Sequence, residues 1–239
     1  MRSFELIEKY KKIGQQYGKQ LTIDFINGEG PAQATDGNKI TINIDKVPEN
    51  ELESYIAYNV RHIVFPDLVL ETERLIIRPF QLSDSEDCFG FLSDKESCYN
   101  DGGYEPFTEM DDKYRELMEL YRSQPMRKMI VLKETGRVIS SANITEKLDR
   151  AIEAFEIGYG TDPNYRRRGY TFEALSKICN CLLSEFHLDM IIAGVIEKNT
   201  ASINLLHKLG FHFEGRKTKA FWHPEDGAID LLYYIKERV

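Results

Sequence analysis

The stretch FEIGYGTDPNYRRRGYTFEAL, residues 155–175, decides how this chain folds. It begins with a pattern typical of a strand and ends with apolar residues at helical spacing. Between these parts stand three adjacent arginines, Arg166 to Arg168, followed directly by Gly169. A glycine lets the backbone come close to a ligand, and free N–H groups at a helix start bind phosphate. The stretch therefore predicts a strand, a phosphate-binding turn and a helix, in that order.

The three arginines stand out because the chain as a whole is acidic. Its 239 residues include 39 Asp or Glu and 31 Lys or Arg, which gives a net charge of −8 at pH 7. General nucleic-acid binding requires a basic face, so this charge balance argues against it. An anionic ligand must therefore be held locally. The alternative is a solvated charge run, and we expect at least one of the arginines only to face solvent.

The composition, 42% hydrophobic and 29% charged, is that of an ordinary folded protein. The amino-terminal residues lack the apolar core of a signal peptide, and the longest aliphatic run, residues 190–196, is too short to span a bilayer. The four cysteines show no metal-type spacing, so we expect free thiols and no metal: Cys88, Cys98, Cys179 and Cys181. We therefore predict a cytoplasmic protein that binds neither membranes nor nucleic acid, and we leave both a monomer and a homodimer open.

The first 67 residues predict a small α+β module. Its periodicity indicates a helix at 4–18, strands at 19–26 and 39–45 joined by a long polar loop, and a helix at 48–65 that ends before Pro66. The second helix has the outline of an HExxH zinc motif, with Tyr58 and Asn59 in place of the first histidine and the glutamate and with His62 at the end. Because two of the three essential residues are absent, zinc binding is not predicted.

The pattern of the sequence changes near residues 68–71, where a predicted helix is followed by a new strand. We place a domain boundary there. The second part, residues 71–239, has strands first and then alternating strands and helices. This order predicts an α/β sandwich with a mixed sheet.

Two motifs in the second part resemble a known family. The hexapeptide Arg166 to Thr171 resembles the RxxGxG/A acetyl-coenzyme A signature of the Gcn5-related N-acetyltransferases, or GNAT family, although Thr171 departs from the final small residue. Residues 197–215, EKNTASINLLHKLGFHFEG, are similar to the family's second cofactor element, NxxSxxLxxKLGFxxEG. Together with TERLIIRPFQLSD at 72–84, the NxxS form is most similar to the ribosomal-protein-alanine N-acetyltransferase branch.

The resemblance implies a GNAT-like mixed β-sheet flanked by helices, with the amino-terminal module in front of it. It also implies that acetyl-CoA lies along the strand, where a backbone N–H polarises the thioester carbonyl. Asn199 and Ser202 would lie beside the pantetheine arm and thioester, and the alternative for Asn199 is a helix N-cap. The remaining cofactor-binding residues that it implies are Ile157, Gly158, Tyr159, Arg166, Arg167, Arg168, Gly169, Tyr170 and Thr171.

Acetyl transfer to an amine also needs a base and an acid. Glu156 corresponds to an acidic position on the same strand in related enzymes, so it is the candidate base, and a solvent-facing carboxylate is the alternative. Many family members use a tyrosine seven residues after the asparagine as the acid, but this chain has Leu206 there. Ser202 is therefore the candidate acid, and a hydrogen bond within its own helix is the alternative.

The leading hypothesis is an acetyl-CoA-dependent N-acetyltransferase that transfers acetyl directly to a primary amine, either a protein N-terminus or a small molecule. Direct transfer is favoured because no cysteine falls in either cofactor element. The loop at 98–112 and the hairpin at 221–227 are rich in acids and aromatics that suit a cationic amine, although both could be ordinary polar loops. The alternative hypothesis is a noncatalytic acyl-CoA-binding or sensing protein whose module at 1–67 is a partner surface.

Overall fold

The computed structural model describes residues 3–238, so residues 1, 2 and 239, at the ends of the two predicted domains, lie outside it. The amino-terminal part contains two helices and three strands. They are α1 (Ser3–Gln16), β1 (Thr22–Ile26), β2 (Gln33–Asp36), β3 (Lys39–Asn43) and α2 (Leu52–Val64). Strand β3 lies in the middle of the sheet, parallel to β1 and antiparallel to β2.

Strand β2 lies in the segment that the sequence predicts to be a polar loop. Three of its four residues are polar, and the fourth, Ala34, is exposed, so they show no apolar alternation. A tight turn joins β2 to β3, because Asp36 pairs with Lys39 and only two residues lie between them. Gly37, with a φ of +55°, supplies the left-handed conformation that such a turn requires. The two-strand prediction for this module is therefore wrong by one strand.

The rest of the chain forms one eight-stranded sheet with helices on its faces. Its strands are β4 (Leu70–Glu71), β5 (Leu75–Pro79), β6 (Lys128–Leu132), β7 (Val138–Lys147), β8 (Ala154–Thr161), β9 (Met190–Ile196), β10 (His212–His223) and β11 (Gly227–Glu237). Its helices are α3 (Ser85–Leu92), α4 (Lys95–Asn100), α5 (Asp112–Arg122), α6 (Tyr170–Asn180) and α7 (Thr200–Lys208). The strand order is β10-β11-β9-β8-β7-β6-β5-β4.

The sheet is mixed, because β8 and β9 are parallel whereas its other neighbouring strands are antiparallel. The predicted fold class, a mixed β-sheet flanked by helices behind a small α+β module, is therefore confirmed. No helix within residues 3–238 is long and apolar enough to cross a membrane.

Buried polar contacts join the amino-terminal part to the large sheet. Arg61 of α2 is fully buried and donates to the carbonyl oxygen of Phe186 at 2.6 Å and to Glu153 at 2.5 Å. Lys128 of β6 is also buried and donates to the carbonyl oxygens of Phe65 and Pro66 at 2.5 and 2.8 Å. Each charged group is paired with acceptors, as burial of a charge requires. The division into domains at 1–67 and 71–239 remains a prediction.

The parallel strands β8 and β9 diverge after a short contact. Their pairing covers only Ala154 to Glu156 of β8 against Met190 to Ile192 of β9. Beyond this point β8 continues against β7 as far as Thr161, and β9 continues against β11. A gap therefore opens in the middle of the sheet, beside the start of α6.

Candidate active site

A groove of about 760 Å³ lies at this gap. Its lining comes from the second half of β8, the turn before α6, the start of α7, and the region from α3 to the start of β6. On β8 the groove includes Gly158 and Gly160, and a Cβ added at Gly158 would meet nothing within 4 Å. These two glycines leave one face of β8 open to a ligand.

The turn before α6 presents free backbone N–H groups to the groove. Gly169 is the N-cap residue in a left-handed conformation, with φ at +80°, and it has no side chain to cap the helix. The first hydrogen bond of the helix runs from the N–H of Glu173 to the carbonyl oxygen of Gly169 at 3.0 Å. Within the described residues, the N–H groups of Tyr170, Thr171 and Phe172 therefore have no hydrogen-bond partner. This is the arrangement that binds phosphate.

Arg74, directly before β5, contacts the turn that precedes α6. Its guanidinium forms an ion pair with Glu173 at 2.6 Å and donates to the carbonyl oxygen of Arg168 at 3.1 Å. It also lies 4.5 Å from the ring centroid of Tyr170. Burial opposes the charge on Glu173, but hydrogen bonds from Thr72 and Arg74 outweigh this effect and lower the pKa of its carboxyl. The TER sequence at 72–74 thus fixes the turn.

The guanidinium of Arg166 has protein partners. It forms ion pairs with Asp94 and Glu96, both at 2.6 Å, and donates to Ser97 at the same distance. These residues lie at the start of α4, so Arg166 connects α4 to the turn before α6. The side chain of Arg166 is therefore occupied by protein partners and is not free to bind a phosphate.

The next two arginines are exposed. Arg167 has a φ of +60°, so left-handed residues stand on both sides of Arg168. The exposed guanidinium groups of Arg167 and Arg168 lie beside the turn and have no ion-pair partner within residues 3–238.

The hydroxyl of Thr171 bonds within the protein. It lies 2.9 Å from the hydroxyl of Thr161 on β8, which is 3.0 Å from that of Ser140 on β7. The side chain that departs from the family pattern is thereby held against the sheet. The N–H of Thr171 remains among the unpaired groups described above.

The backbone N–H of Tyr159, on β8, points into the gap between the strands. The N–H of Asp162 bonds to Ile139 of β7 at 2.9 Å. Because antiparallel bonding alternates along a strand, the odd-numbered residues of β8 direct their N–H groups away from β7. Tyr159 lies beyond the last pair with β9, so its N–H faces the gap.

Ser202 and Asn199 lie together at the start of α7. The side chain of Asn199 accepts the N–H of Ser202 at 3.0 Å, so Asn199 is the helix N-cap that the alternative reading predicts. Its side-chain NH₂ group remains available, and both residues line the groove. The structure therefore brings these two predicted residues together with Gly169 and Tyr159.

The hydroxyl of Tyr159 lies 2.7 Å from the hydroxyl of Ser202. Burial raises the pKa of Tyr159 to about 12, although the hydrogen bond with Ser202 lowers it. The phenol therefore stays protonated at neutral pH. Sequence reasoning names Tyr159 only for its backbone, because the spacing between strand and helix gives no sign that these two side chains meet.

Glu156 is not among the residues that line the groove. It forms an ion pair with Lys147 of β7 at 2.7 Å, and its side chain is 28% exposed. Its carboxylate lies close to Gly194 of β9, where an added Cβ would be 3.1 Å from its Oε1. The structure thus does not bring Glu156 into the groove with Ser202.

Three other groups in the groove were not singled out as residues from the sequence, although two of them belong to the loop at 98–112 that was predicted to suit a cationic amine. Asp101 and Tyr104 come from the loop at 98–112, whereas Arg127 lies just before β6. The hairpin at 221–227 does not line the groove, and its His223 is buried against the carbonyl oxygen of Tyr99. The acidic and aromatic composition of both loops was a signal, but only the first loop faces the groove.

The four cysteines are buried as free thiols, and none of them lines the groove. Within residues 3–238, no three or more His, Cys, Asp or Glu side chains come together as a metal ion would require. The ring of His62 instead packs against the ring of Tyr58, with their centroids 4.2 Å apart. Its Nε2 lies 3.8 Å from a carboxylate oxygen of Glu146.

The chain belongs to the GNAT family, because the model of the acetyltransferase (GNAT) domain matches residues 74–212. The family uses acetyl-CoA as its acetyl donor. The chain is accordingly an N-acetyltransferase.

Individual proteins agree with this assignment. The chain is 32% identical over 152 residues to the uncharacterized N-acetyltransferase p20 of Bacillus licheniformis, covering 61% of this chain and 83% of that protein. A GNAT-family acetyltransferase from Bacillus anthracis superposes with a TM-score of 0.63 at 24% identity, covering 72% of this chain and 99% of that one. The ribosomal-protein-S5-alanine acetyltransferase from Vibrio fischeri superposes with a TM-score of 0.57 at 20% identity. The match covers 72% of this chain and 97% of that one. These two structures show a common fold.

Proposed function

We propose that this protein uses acetyl-CoA to acetylate a primary amine directly, within a complex that holds both substrates. The observation that carries the proposal is the unpaired N–H groups of Tyr170, Thr171 and Phe172, which lie beside the splayed strand β8. The acceptor is the amine of a protein N-terminus or of a small molecule.

The residues present fit coenzyme A. The diphosphate would be held by the free amides after Gly169, whose left-handed conformation, with φ at +80°, favours glycine. The side-chain NH₂ group of Asn199 suits the amide oxygens of the pantetheine arm. Arg167 and Arg168 are exposed beside the turn and would add charge-assisted contacts to phosphate oxygens.

Acetyl-CoA supplies an activated acetyl group as a thioester. The N–H of Tyr159 would donate to the carbonyl oxygen, where negative charge develops during transfer. The hydroxyl of Ser202 would donate a proton to the departing sulfur and regain one from the phenol of Tyr159. This pair would replace the tyrosine that many relatives have at the position of Leu206.

Proton and bond changes balance without a covalent intermediate. The new C–N bond forms as the C–S bond breaks, and one proton of the ammonium leaves to a base before the attack. A second proton leaves the nitrogen after the attack and would restore the phenol of Tyr159, which replaces the proton that Ser202 gives to the sulfur. Glu156 remains a candidate for the base through water, although its ion pair with Lys147 competes for the carboxylate. The buried thiols support direct transfer, because burial raises the pKa values of Cys179 and Cys181 to about 12.

The proposal is tested by measuring thiol release from acetyl-CoA with a panel of small amines, amino acids and peptides. We expect turnover with at least one class, and a loss of turnover in Ser202→Ala. Binding of acetyl-CoA without turnover of any amine, unaffected by Ser202→Ala or Glu156→Gln, would instead indicate a noncatalytic acyl-CoA sensor. Mass spectrometry of the acceptor identifies the acetylated nitrogen.

A further inference from the structure

One part of the groove carries groups that the acetyl donor does not need. Asp101, Tyr104, Tyr121 and Arg127 line it. Of the two carboxylates in the groove, Glu96 is already ion-paired with Arg166 at 2.6 Å. Within the described residues, Asp101 has no ion-pair partner. It is therefore the carboxylate available to a ligand.

The loop that carries Asp101 has a fixed shape. The N–H of Asp101 bonds to the carbonyl oxygen of Ser97 at 2.9 Å, which closes α4. The N–H of Gly103 donates to the carbonyl oxygen of Cys98 at 2.8 Å. A Cβ on Gly103 would lie 2.5 Å from Nε2 of His223, so only glycine fits there. Asp101 is thus held in place at the edge of the groove.

The surroundings of Asp101 favour a cationic ligand. Asp101 is an exposed residue that lines the groove, and desolvation raises the pKa of its carboxyl. The hydrogen bond from Tyr104 at 3.2 Å and the charge of Arg127 act in the opposite direction and do not cancel the effect. An ammonium ion bound here would supply the missing charge compensation.

Arg127 is positioned to bind an anion. Its Nε donates to Gln124 at 2.7 Å, and its guanidinium carbon lies 3.8 Å from the ring centroid of Tyr121. Its two terminal nitrogens have no hydrogen-bond partner among residues 3–238. A guanidinium held in this way matches a carboxylate with two parallel hydrogen bonds.

Asp101 and Arg127 have opposite charges and share the groove, yet no ion pair within 4.0 Å joins them. A ligand that carries both complementary charges would satisfy them together. We propose that the acceptor is a small amine that also bears a carboxylate, as a free amino acid does. Its ammonium group lies at Asp101, its carboxylate at Arg127, and the rings of Tyr104 and Tyr121 flank it. This proposal rests on the proposed acetyltransferase function.

The test compares the amino acids with their methyl esters, which keep the amine and lose the negative charge. We expect at least one amino acid to have a kcat/KM at least about tenfold above that of its ester, since hydrogen bonds to charged groups have this strength. Arg127→Met should remove this preference by raising the KM for the amino acid. The kcat/KM for the ester should stay unchanged. Asp101→Asn should lower kcat/KM for both. Arg137→Met, in the turn between β6 and β7, is the matched control outside the groove.

Calorimetric titration of the preferred amino acids into the protein saturated with CoA provides a readout independent of turnover. Weaker binding in Arg127→Met and Asp101→Asn supports the proposal even if no amine is acetylated, which would refute only the proposed reaction. Equal use of amino acids, esters, monoamines and peptides overturns this inference while the proposed reaction stands. An absence of amino acid binding in wild type also overturns it.

Discussion

Replacement of Gly169 by aspartate is expected to weaken CoA binding at least about 100-fold, which corresponds to about 2.7 kcal/mol. Two effects act together. A Cβ at Gly169 would lie 3.4 Å from an amino nitrogen of Arg74, so the aspartate would pair with this guanidinium and disturb its contacts with Glu173 and Arg168, which hold the turn. It also places a negative charge against the negative phosphates. Calorimetric titration of CoA measures the change.

A matched control separates this loss from damage to the fold. Gly136, in the turn between β6 and β7, has a φ of +70°, close to the +80° of Gly169, and a Cβ at Gly136 would meet nothing within 4 Å. An aspartate costs similar backbone strain at both sites, of order 1–3 kcal/mol. Gly136→Asp should therefore lower the melting temperature without changing the affinity for CoA. If Gly169→Asp binds CoA as wild type does, the amides after Gly169 are not the phosphate site.

Removal of the hydroxyl of Ser202 is expected to lower kcat about 100-fold, within the range for loss of a general acid. The KM for acetyl-CoA should change little, because the free amides of α6 and the side chain of Asn199 remain. Steady-state kinetics of Ser202→Ala measures both constants. Ser176→Ala, on α6 and outside the groove, is the control for a serine lost from a helix, and it should keep full activity.

Tyr159→Phe distinguishes a proton relay from a packing role. If the phenol acts through Ser202, the single change should lower kcat by a smaller factor, and the double variant should be no worse than Ser202→Ala alone. Effects that multiply in the double variant would show that the two hydroxyls act separately. Unchanged kcat in Ser202→Ala would remove Ser202 from the mechanism.

The turn between β8 and α6 could be predicted from the sequence, because it depends on neighbouring residues of the chain. Arg166 to Gly169 stand between a strand pattern and a helix pattern, and a glycine before a helix leaves the first amides open. The fold follows from the same periodicity, and the structure confirms it. Strand β2 escapes prediction because its residues are polar on both faces, although the Asp-Gly pair at its end is a hairpin signal.

The partners of individual side chains were not predictable, because tertiary contacts decide them. Arg166 is satisfied by Asp94 and Glu96, which lie some seventy residues earlier in the chain. The bond between Tyr159 and Ser202 joins a strand to a helix across the splay. Asp101 lies in an irregular loop, where no periodicity indicates which residues face the groove.

Hydrogen–deuterium exchange of the wild-type protein, with and without CoA, tests the central claim most directly. The claim is that the free N–H groups at the start of α6 bind the diphosphate. We predict that CoA slows exchange of the amides of Tyr170, Thr171 and Phe172, while the turn at Gly136 exchanges as before. Bound CoA that leaves the exchange of these three amides unchanged would contradict the claim.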